Sequence, residues 1–136
     1  MKLMALFFST AALAVLGGGC TTHGPYEPLN TTKYTLEDKA KFILLDKDMR
    51  DAVTCTGLQE GRTTDGRMKI AANLHNQGNK RIEVQADCVF KDAQGFALDE
   101  QLYRTIILDE NATETATFEA INTNAVKYTV RVRSAR

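Results

Sequence analysis

Cys20, Cys55, Cys88, His23, His75 and Ser134 are the side chains of this sequence best suited to hold a metal or attack an electrophile. Their spacing argues against both. A structural zinc site draws its Cys and His ligands from closely spaced pairs. His23 and His75 stand 52 positions apart with no Cys or acidic partner at ligand spacing, so neither a metal nor a cofactor is expected. Ser134 lies beside the C-terminus with no histidine near it in the sequence, and nothing supports a Ser-His-Asp nucleophile. The adjacent carboxylates Asp99-Glu100 and Asp109-Glu110 are expected in turns, as solvated charge rather than as a glycosidic acid and base. Gly57, Gly61 and Gly66 do not lead a strand into a helix, as a phosphate-cradling loop must. No catalytic residue is expected, and the chain reads as a non-enzyme.

Cys20 differs from the other two cysteines because of what precedes it. Met1-Lys2 is a positive end, residues 3–16 are apolar apart from Ser9-Thr10, and Gly17-Gly18-Gly19 is a small-residue site. This is the pattern of a secretory signal, and the apolar run is shorter than the roughly twenty residues a membrane-spanning helix needs. Leu16-Gly-Gly-Gly-Cys20 resembles a bacterial lipobox, with the aliphatic residue four positions before the cysteine. The resemblance implies that residues 1–19 are removed and that Cys20 is acylated. More than one acyl chain makes anchoring stable where a single chain is marginal. Thr21 and Thr22 follow instead of an aspartate, which in such lipoproteins implies an outer-membrane address with the domain facing the periplasm.

Once Cys20 carries lipid, Cys55 and Cys88 remain as a pair in a compartment that permits disulfides. Cys88 shares the inward phase of its strand with Val84 and Phe90, and Cys55 shares a phase with Val53, so both thiols can face one interior. A bridge between them is expected, closing a loop worth about 3 to 4 kcal/mol. The other arrangement is two separate buried thiols, because Cys is a common core residue.

Removing residues 1–19 takes away Lys2 and leaves 16 basic against 17 acidic residues over 117 positions. That balance gives no electrostatic case for nucleic acid or for a strongly anionic membrane surface. The length suits one domain with one core. Arg131, Arg133 and Arg136 cluster near the C-terminus, but they fall in the outward phase of a strand, where solvated charge is expected.

The elements that must position these residues are read from period-two alternation. Residues 20–33 hold both prolines of the chain and form a flexible tether, about 40 Å when extended, and residues 34–136 form the domain. A helical turn is expected from Thr35 and a charged connector at 46–51. Strands are expected at 42–45, 52–58, 68–74, 82–90, 96–98, 104–108, 113–120 and 128–132. Residues 68–74 and 82–90, joined by Asn76-Gln77-Gly78-Asn79-Lys80, read as one long antiparallel hairpin around which the rest packs. Seven or eight short strands at this spacing predict an all-β chain, an immunoglobulin-like antiparallel β-sandwich.

Leu74-His-Asn76, Phe90-Lys-Asp-Ala-Gln-Gly95 and Tyr128-Thr-Val-Arg-Val-Arg133 resemble motifs of the YcfL-like family of small periplasmic lipoproteins, over residues 42–136. The resemblance implies an immunoglobulin-like sandwich without an established activity, although this chain has no tryptophan. Phe96, Leu98, Leu102 and Tyr103 stand out as an apolar stretch mixed with acids, a candidate partner surface. The expected function is that of a binding module for an envelope protein or peptidoglycan. The alternative is a lipoprotein subunit of a multiprotein envelope or secretion assembly.

Overall fold

The structure, a computed structural model, describes residues 25, 26 and 41–135. Eight strands lie in two sheets. They are β1 (Phe42–Leu44), β2 (Val53–Arg62), β3 (Met68–Asn76), β4 (Ile82–Lys91), β5 (Ala97–Glu100), β6 (Arg104–Leu108), β7 (Thr113–Glu119) and β8 (Lys127–Ser134), with a helical turn α1 (Met49–Ala52) before β2. One sheet runs β2-β3-β7. The other runs β1-β8-β4, and β4's far side pairs with β5 and then β6, which together make one interrupted edge. Every pairing between these strands is antiparallel except β1 with β8, which is parallel. The signal segment, Cys20, His23, the expected helical turn at Thr35 and Arg136 lie outside the described residues.

The alternation that marks the strands also builds the core. Ile70, Ala72 and Leu74 of β3, with Ala116 and Phe118 of β7, face Val84, Ala86, Cys88 and Phe90 of β4 and Val130 and Val132 of β8, all of them buried. The charged connector expected at 46–51 instead begins α1, because burying Met49 closes the core beneath β2. β2 runs past residue 58, where the strand is expected to end. β2 stays paired with β3 as far as Arg62 opposite Met68, and Gly66 turns the chain at φ 86°.

The long central hairpin is not formed. β3 and β4 are strands as expected, but they belong to opposite sheets, and residues 77–81 arch from one to the other. An inward phase of apolar residues looks the same in sequence whether two strands lie side by side or face each other across a core. Asn76 fixes the second arrangement. Fully buried, it donates from Nδ2 to the carbonyls of Lys80 at 2.8 Å and Asp109 at 2.9 Å, with Leu108 O at 3.2 Å. Its Oδ1 accepts from the Gly78 amide at 2.9 Å. One side chain thereby holds both the arch and the β6–β7 turn.

Candidate functional site

The two thiols come first, since they carry the most reactive atoms in the fold. Cys55 in β2 and Cys88 in β4 are both buried. They lie in facing sheets with no disulfide between them, where the sequence reading expects one. Cys55 Sγ lies 3.4 Å from the Gly57 carbonyl, across a bulge that shifts the β2–β3 register. Burial, reinforced by the charges of Asp87 and Asp99, pushes the Cys88 thiol up to about 12. A thiol so displaced is a core group and not a nucleophile.

The remaining sequence candidates resolve into structural roles. His75 lies on β3 opposite Thr113, its Nδ1 3.0 Å from the threonine hydroxyl. Asp99 and Glu100 are on β5 and not in a turn. Asp99 accepts from the Ile121 amide at 2.9 Å and from Gln101 Nε2 at 3.0 Å, while Glu100 binds the Arg131 guanidinium. Among the described residues no group of three or more His, Cys, Asp or Glu is placed to hold a metal ion, and no helix is long and apolar enough to cross a membrane.

The arginine cluster is less solvated than expected. Asp87, in the outward phase of β4, has no exposed surface because Arg131 covers it, and Tyr103 folds over the same face with Arg133 stacked 3.7 Å from its ring centroid. Arg133 Nε donates to Gln85 Oε1 at 2.9 Å. Gln85, Arg133, Leu45, Asp46 and Ser134 line an open groove of about 470 Å3, in which Asp46 accepts the Ser134 amide at 2.6 Å.

The four residues expected to form a partner surface do not stay together. Tyr103 is half-buried against the arginines, and Leu102, 87% exposed, stands at the end of β5 nearest β6. Phe96 is 72% exposed on the β4–β5 turn, and Leu98 follows it on β5. That turn is rigid. Asp92 Oδ1 accepts the amides of Gln94 and Phe96, both at 2.9 Å, and Gly95 supplies φ 94°, a backbone angle costly for other residues. Ile121, 70% exposed, and Val126 enter the same end of the sandwich from the β7–β8 crossover, tied to it by Ile121 N to Asp99 and Val126 N to Lys91 O. Sequence reading missed both. Their only signal is an aliphatic residue at each end of the short polar loop Asn-Thr-Asn-Ala.

Next to this end, β7's outer edge is closed by side chains of β6 and of the residues leading into it. Arg104 donates to the Thr117 carbonyl and Gln101 to the Glu119 carbonyl at 3.1 Å, so these carbonyls are withheld from edge-to-edge pairing. On the opposite side Tyr128 of β8 donates to Glu60 of β2 at 2.9 Å, and Lys41 joins the same carboxylate at 2.7 Å. With both sides laced, the exposed apolar residues at the β4–β5 and β7–β8 end are the part of the surface best suited to contact another molecule.

The pattern of the family described as "Protein of unknown function (DUF1425)" matches residues 40–134, which takes in all eight strands. The chain belongs to the DUF1425 family. A DUF1425 family member from Shewanella sp. pv-4, solved at 1.81 Å, shares the fold with a TM-score of 0.54 at 16% identity, over 62% of this chain and 77% of that one. The crystal structure of Campylobacter jejuni cj0090 gives a TM-score of 0.58 at 13% identity, over 71% of this chain and 99% of the other. At these identities the likeness is one of fold alone. No curated protein matches this DUF1425 chain.

Proposed function

We propose that this DUF1425 protein is a YcfL-like lipoprotein, anchored in the outer membrane by acyl chains on Cys20, whose periplasmic sandwich binds another envelope protein without catalysing a reaction. The observation that carries the reading is the apolar end of the sandwich. Phe96 on the β4–β5 turn, Leu98 on β5, and Ile121 and Val126 on the β7–β8 crossover are solvent-exposed on hydrogen-bonded backbone, where the domain gains nothing by showing them to water. Aromatic and aliphatic side chains presented on ordered backbone are suited to anchoring a protein interface, since little entropy is lost when they are buried. Peptidoglycan, rich in hydroxyl and carboxyl groups, is a poorer match to this end.

The anchor and the surface are tested separately. Cys20→Ser removes the domain from the membrane fraction, and retention of that variant overturns the anchor. A photo-cross-linking residue at position 96 or 121 traps a protein in intact cells, and the same residue at position 110 does not. Cross-linking that is equal at all three positions, or unchanged by Phe96→Ser when the probe is at 121, overturns the surface.

A further inference from the structure

Within the polar segment between Cys20 and the domain, Tyr26 is fixed to the fold. Tyr26 forms an antiparallel bridge with Leu44 of β1, its amide donating to Leu44 O at 2.7 Å and its carbonyl accepting from Leu44 N at 2.6 Å. Its side chain packs against the core cluster. Pro25 and Pro28 flank it, and proline has no amide to donate, which confines the pairing to a short contact at the sheet edge. The free length between lipid and fold is thus set at residue 26 and not at residue 33.

We infer that Tyr26 is a latch that holds the domain close to the bilayer in one orientation. The inference rests on acylation of Cys20. Five residues lie between Cys20 and Tyr26, and the six extended steps from one to the other reach about 20 Å. Register gives the direction. Leu44 lies opposite Val132, and Val132 lies opposite Ala86 of β4. β1 runs toward the end of the sheet where β4 begins and β6 finishes, so a segment antiparallel to it comes from that end. From Ala86 to Ile82 is about 13 Å at ~3.3 Å per residue, and the 77–81 arch lies beyond. The reach is nearly used up in passing that end, which brings the 77–81 and 109–112 loops against the headgroups. Phe96 and Ile121 are at the opposite end, beyond Lys91 of β4, and are held out toward the periplasm.

The test uses the full acylated chain in vesicles of phosphatidylethanolamine and phosphatidylglycerol carrying a headgroup-linked energy acceptor, with a fluorophore on an encoded non-natural residue at position 80 or 94. Transfer from position 80 is expected to be at least twofold that from position 94. Inserting ten Gly/Ser residues between 22 and 23 abolishes the difference, whereas the same insertion between 33 and 34 preserves it. Equal transfer from the two positions in the unaltered chain, or a difference lost through the second insertion, overturns the latch. Mass analysis of the same sample keeps the two readings apart. A chain without acyl groups that stays off the vesicles overturns the anchor and the latch together, whereas an acylated, vesicle-bound chain with equal transfer overturns the latch alone.

Discussion

Arg131 lies across Asp87 on the outer face of the five-stranded sheet, its Nε donating to Oδ1 at 2.9 Å, and the carboxylate has no exposed surface. The hydrogen bonds to Asp87, and beyond them the bond to Glu100, raise the arginine's pKa above its ordinary value, so the guanidinium is charged throughout the accessible pH range. A carboxylate stripped of water depends on that partner, and losing it leaves an uncompensated charge.

Arg131→Ala removes both the bonds and the cover, so water reaches Asp87 and the expected loss is about 1.5 to 3 kcal/mol, the size of a charge-assisted hydrogen bond, with the double variant Asp87→Ala and Arg131→Ala costing less than Arg131→Ala alone. Urea melts with an unchanged slope measure both. A loss below about 0.5 kcal/mol for Arg131→Ala is the size of a surface pair and refutes the dependence.

Asn76 supports a sharper expectation because its amide satisfies both carbonyl acceptors and a backbone amide donor. Asn76→Ala removes these bonds and empties a fully buried position, while the carbonyls of the exposed residues Lys80 and Asp109 regain water, so a loss of about 2 to 3 kcal/mol is expected. Asn76→Asp is worse at neutral pH, since a carboxylate would face the carbonyls of Lys80 and Asp109. Its deficit shrinks as acid protonates that group. Melts of the two variants at pH 7 and pH 4, each against wild type, check the order and its pH dependence.

Cys88 gives a pH window. Its folded pKa, about 12, stands above the ordinary 9.0 because burial penalises the thiolate. The folded state holds the proton more tightly, so this contribution is fully present below pH 9.0 and falls as pH rises toward 12. Between pH 9 and 10 the loss is about 1 kcal/mol, and Cys88→Ala removes that slope while lowering stability at pH 7. Melts at half-unit pH steps measure it. Both thiols are expected to resist iodoacetamide in the native protein and to alkylate fully once it is unfolded without reductant. A thiol still blocked after unfolding is the mark of the bridge that the sequence predicts.

Period-two alternation was enough to locate most of the strands and nearly all of their inward residues, because burying one face of a strand leaves its mark on every second position. The lipobox-like Cys20 was read from local pattern alone. The pairing of Tyr26 with Leu44 was not legible, because one aromatic among polar residues carries no period.

Which strand lies beside which is a different kind of fact. The alternation of β3 and β4 is satisfied equally by a hairpin and by two facing sheets, and only the four contacts of Asn76 with an arch and a distant turn favour the second. The separation of Tyr103 from Phe96 and the burial of Asp87 on an outward face follow from long-range packing in the same way. So does the meeting of Phe96 with Ile121 at one end. The sequence by itself determined which residues are buried, because burial of alternate side chains is local; tertiary structure alone decided which buried faces meet and what the exposed ones stand beside, because those contacts join residues far apart in the chain.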